Sequence, residues 1–118
     1  MKTITPIAAG ITLGLLSACA TTEPPRPHRW ARAVQTAETR EAHEELAQHY
    51  EEVAKQMQAD ADEEREMLAQ YQASPHKYGK RIQDLKASAQ AMIRDFELAA
   101  KESLHMADYH RQLANAAK

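Results

Sequence analysis

The sequence predicts an all-α protein, an antiparallel two-helix hairpin with coiled-coil-like packing. Alanine, glutamate, glutamine, lysine and arginine dominate it, and β-branched residues are scarce after position 40. These residues lose little side-chain freedom in a helix, so the composition is a helical one. Two long stretches repeat apolar side chains at three- and four-residue steps, the spacing that lines one face of a helix. Between them stands Ser74-Pro75, which reads as an N-cap followed by proline at the first helical position.

In chain order, the first segment is not part of that hairpin. Met1-Lys2 gives a short positive start, residues 7–16 an apolar run, and Leu16-Ser17-Ala18-Cys19 places small residues before the single cysteine. The run is too short and too glycine-broken to span a bilayer, and has the layout of a secretory signal. Leu-Ser-Ala-Cys resembles the lipobox of bacterial lipoproteins, a likeness confined to about the first 20 residues. The resemblance implies that 1–18 is a signal peptide removed on export and that Cys19 carries a covalent lipid. The protein would then sit on a membrane surface in the cell envelope. Ala20 resembles the pattern of lipoproteins sent to the outer membrane, facing the periplasm. One cysteine excludes an intramolecular disulfide, so the domain must be held together by packing.

Residues 19–30 read as a lipid-anchored spacer rich in proline and arginine. Pro24, Pro25 and Pro27 oppose helix and favour an extended chain. At roughly 3.1 Å per residue such a spacer lifts the domain about 25 Å from the bilayer. Arg26, Arg29 and Arg32 surround Trp30. That group suits either contact with lipid headgroups or a tryptophan packed on the base of the helix.

The domain proper spans 31–118, with a helix over about 31–72, a turn at 73–76 and a second helix over about 75–116. Thr36 or Thr39 is a candidate cap for the first helix. Its seam is Leu46, Tyr50, Val53, Met57, Met67 and Tyr71, interrupted by Asp60 and Glu64, with Ala47, Ala54, Ala61 and Leu68 in a row beside it. The second helix has a seam from Tyr78 and Ile82 through Met92, Phe96, Met106 and His110 to Leu113. Ile93, Ala100, Ala107 and Ala114 form its neighbouring row.

Residues 38–66 hold eleven acids against three bases, a net of −8, and residues 77–118 hold eight bases against five acids, a net of +3. Opposite fields and a short turn favour antiparallel pairing of the two helices. A lone hairpin buries little, so it is expected to dimerise into a four-helix bundle or to dock on an envelope partner.

Candidate chemistry is sparse. With Tyr71 facing Tyr78, Met57 falls opposite Met92, Val53 opposite Phe96, and His43 opposite Met106, one turn from His110. His43, Met106 and His110 would then form a copper site of imidazole and thioether ligands, and the chain a metal-binding or metal-buffering lipoprotein. The alternative is packing, since methionine fills cores and histidine is tolerated at a seam. The run Asp60, Asp62, Glu63, Glu64 and Glu66 reads as a solvated face. No serine or cysteine stands beside a histidine as a nucleophile beside its base, and a thin hairpin offers no water-excluding pocket. The expectation is a non-enzyme with no small-molecule substrate. The charge balance from Cys19 onward, 14 bases against 17 acids, disfavours nucleic acid.

Lys118 closes the chain after a helical body, which resembles the Braun type of outer-membrane lipoprotein, joined to peptidoglycan through a terminal lysine. The likeness implies a structural, peptidoglycan-linked role. A hairpin departs from it by returning Lys118 towards the membrane, where the Braun type is one long helix.

Overall fold

The computed structural model describes residues 29–118; the signal segment, Cys19 and the spacer up to His28 lie outside the described residues. Within them the elements are α1 (Arg29–Thr36), α2 (Arg40–Ala73), two 3-10 turns (Pro75–Lys77 and Gly79–Arg81) and α3 (Ile82–Ala116). No strand occurs among the described residues. No described helix is long and apolar enough to cross a membrane.

The long helices form the expected hairpin, but the first is not continuous from position 31. The chain leaves helical geometry between Thr36 and Arg40 because Thr39 adopts an extended conformation and caps α2. Its Oγ1 accepts from the Ala42 backbone N–H at 3.1 Å, supplying a partner that the first turn lacks. The eight residues before the break form α1, which begins two positions inside the expected spacer.

α1 returns along α2 and is fastened at its base. The Trp30 indole stacks on the His49 imidazole, with ring centres 3.8 Å apart and planes 13° from parallel. Arg29 lies over the Trp30 ring at 4.8 Å and pairs with Glu45 at 3.3 Å. Trp30 is therefore packed on the helix base, the second of the two roles that its surroundings allowed.

At the other end Tyr71 meets Tyr78 edge to face, ring centres 5.0 Å apart. The connection takes more chain than a four-residue turn: Pro75 opens the first 3-10 turn, and α3 starts only at Ile82. Gly79 lies at φ +55°, a left-handed conformation that a side chain would strain.

This longer connection shifts the register. Arg65 pairs with Glu97, and Arg111 with Glu51 at 2.6 Å. Met57 is therefore not level with Met92, nor Val53 with Phe96.

The buried contact is also not the seam of large side chains. On α2 the buried residues are Leu46, Ala47, Ala54, Ala61 and Glu64; on α3 they are Ala89, Ala100, Ser103, Ala107, His110 and Ala114. In the register of the ion pairs the two alanine rows oppose each other. Leu46, 1% exposed, is the only large apolar side chain fully buried among the described residues. Small side chains let the backbones approach closely, while the bulky residues flank the contact.

Candidate functional site

One polar cluster and one apolar face stand out from this frame. The cluster lies where α1, the start of α2 and the end of α3 meet. His43 Nδ1 and His110 Nδ1 are 3.1 Å apart, a hydrogen bond in which one ring donates its N–H and the other accepts. His110 is 7% exposed and His43 half-buried. Tyr50 also stacks on His110, ring centres 5.6 Å apart and planes 10° from parallel. The two imidazoles are 5.4 Å apart between centres with planes at 27°.

Helical periodicity explains the meeting. His43, Tyr50 and Ala47 share the inner face of α2, while His110 stands between Ala107 and Ala114 on the inner face of α3. Burial, and secondarily the charge His43 would carry, hold the His110 imidazole below its usual range.

Of the three residues expected to converge, His43 and His110 do so. Met106 precedes His110 by one turn, is 37% exposed and lies on the apolar face. His105 faces Glu102 on the outer side of α3 at 3.5 Å. Tyr50, part of the cluster, was visible in the sequence only as a seam residue. Its offsets of one turn from Leu46 and two turns from His43 were the available signal. Among the described residues no three His, Cys, Asp or Glu side chains gather as a metal-binding set.

The apolar face runs along one side of the hairpin. Met92, Met106 and Leu113 fall on a seven-residue repeat with Ala99, and are 43%, 37% and 49% exposed. Half-buried Val53 and Met57 and the exposed Met67 occupy the same side on α2. With α2 and α3 antiparallel, the two stripes flank the alanine contact on one face. Glu64 interrupts this side and is buried, against the expectation of a wholly solvated acidic run. It follows Ala61 by three residues and precedes Leu68 by four, so the helix period turns it inward.

The acidic half of α2 is less free than its composition suggests. Glu45 pairs with Arg29, Glu51 with Arg111, and Glu52 with Lys55 at 2.9 Å. The remaining concavities are open grooves, one lined by Glu44, Gln48, Arg111 and Asn115, another by Ala54, Gln58, Ala100 and Leu104. Lys118 is exposed just past the end of α3, at the end of the hairpin where α2 begins. Cys19 lies outside the described residues. No protein-family model matches this chain, and no curated protein or solved structure matches it.

Proposed function

We propose that this chain is a lipid-anchored cell-envelope protein whose hairpin serves as a helical scaffold, pairing with a second copy to form a four-helix bundle. The supporting observation is the half-exposed stripe of Met92, Met106 and Leu113 beside Val53 and Met57. Among the described residues the buried apolar side chains are alanines and one leucine, and an alanine contributes little burial. A hairpin so composed gains most by covering its bulky flank, and each large side chain fully covered adds about 1.5–3 kcal/mol.

α2 carries three bases against ten acids and α3 four against five, so a two-fold arrangement that lays α3 on the partner's α2 avoids setting two strongly acidic helices together. The seven-residue repeat is the spacing that helix-on-helix packing requires. The lipobox-like ending at Cys19 supports the anchor, and Ala20 an outer-membrane, periplasm-facing location.

The role proposed is not catalytic, and neither nucleic acid nor a small-molecule substrate is assigned. Crosslinking of the full chain in membrane vesicles tests the pairing. Wild type should give a dimer, and the triple variant Met92→Gln, Met106→Gln, Leu113→Gln should lose it while keeping its helicity. A wild-type chain captured only as a monomer, or an equal dimer yield from the triple variant, would overturn the reading.

A further inference from the structure

We infer that His43 and His110 form a two-histidine site for divalent copper at the tethered end of the hairpin. Two nitrogens bound to one metal at about 2.0–2.1 Å, subtending an angle between about 90° and 110°, stand roughly 2.9–3.4 Å apart. His43 Nδ1 and His110 Nδ1 are 3.1 Å apart. An ion can therefore replace the bridging proton with little change in the separation of the two nitrogens.

The pair is also held in place. Tyr50 stacks against His110, and Ala107 and Ala114, both buried, close the turns on either side of it. The two rings come from helices 67 positions apart in the chain, so the site exists only when the hairpin is closed. Binding would therefore add its free energy to folding.

The chemistry is balanced without a further reactant. In the free protein one Nδ1 carries a proton and the other accepts it. On binding, both Nδ1 atoms present lone pairs, the proton of the donor ring moves through solvent to its own Nε2, and each imidazole stays neutral. The protein supplies two ligands, and the partly exposed side of His43 leaves the remaining positions to water. Copper is the choice among divalent ions because nitrogen sites follow the general order of affinity that peaks at that metal. Met106 is not a ligand in this site. The inference is independent of the scaffold reading, since it needs neither the lipid nor a second copy.

Copper(II) titration of the full chain in detergent micelles, followed by calorimetry and electron paramagnetic resonance, tests it. The expected result is one tight copper per chain, with a spectrum showing two coordinated imidazole nitrogens. His43→Gln and His110→Gln should each weaken binding at least tenfold while His105→Gln leaves it unchanged. Equal affinity in wild type and both variants would overturn the site. Should a variant fail to fold, the wild-type spectrum decides alone, and one lacking two imidazole nitrogens would overturn it equally.

Discussion

Alanine is the smallest side chain a helix can place against a neighbour without glycine's entropic cost, and here it sets the distance between α2 and α3. Ala61 is wholly buried in that contact, with Ala100 and Ala107 in the facing row. Replacing Ala61 with leucine should force the backbones apart and destabilise the hairpin by about 1–3 kcal/mol. Urea unfolding followed by far-ultraviolet circular dichroism measures this, and an unchanged midpoint would show that the row does not fix the spacing. Both alanine rows are visible in the sequence at their seven-residue repeat. They read as secondary because hydrophobicity ranks Met57 and Phe96 above any alanine, whereas close packing ranks the small residues first. Glu64 was hidden for a related reason. A carboxylate among four other acids reads as solvated, and only its phase relative to Ala61 and Leu68 turns it inward.

The short α1 behaves as a strap over the start of α2, and its clasp is one aromatic pair. Burial, then the Arg29 guanidinium, hold the His49 imidazole below its usual range of about 6.5. Burial and His43 act on His110 in the same direction. A depressed imidazole value means that the unfolded state binds the proton more readily. Stability is therefore fully present above about pH 6.5 and declines as the pH falls through the lower, folded-state value.

Trp30 is the single tryptophan and reports on its own stack. Its emission should change between about pH 7.5 and about pH 5 as α1 loosens, and His49→Phe should remove most of that response. A wild-type profile flat across this window would show that the stack is indifferent to the charge of His49. In the sequence, Thr39 was a readable cap, yet the helix-forming composition on both sides of it concealed the break at 37–39. Nothing local announces that Trp30 should find His49, because that contact depends on the direction in which the chain turns back.

The hairpin's direction places both of its ends together. Glu51 pairs with Arg111, so the start of α2 and the end of α3 lie side by side, while Tyr71 and Tyr78 mark the opposite tip. α2 and α3 each extend about 50 Å at 1.5 Å per residue. α1 begins ten positions after Cys19, so a lipid there would hold the paired ends and leave the tyrosine tip outermost. Cys19→Ala should transfer the protein from the membrane to the soluble fraction on cell fractionation; retention by the membrane would remove the anchor from the proposal. The architecture was readable from periodicity, composition and Ser74-Pro75. Its register was not, because two 3-10 turns delay the start of α3 to Ile82, beyond the Ser74-Pro75 start that the sequence marks. His43 and His110, one turn apart in the alignment expected, are in direct contact.

An alanine row is a ruler whose marks are identical. Sliding α3 along α2 by seven residues would again set alanine against alanine, so the closed contact cannot itself tell one alignment from the next. The marks that differ lie off the row: Tyr71 against Tyr78 at the tip, Arg65 with Glu97 and Glu51 with Arg111 along the shaft, and His43 with His110 at the base. Each is weak alone, yet a slide of seven residues along the row would part both ion pairs and the histidine pair. Choosing among near-equal positions is thus divided between side chains that supply little of the cohesion, and the residues that bind the helices together are indifferent to where they meet.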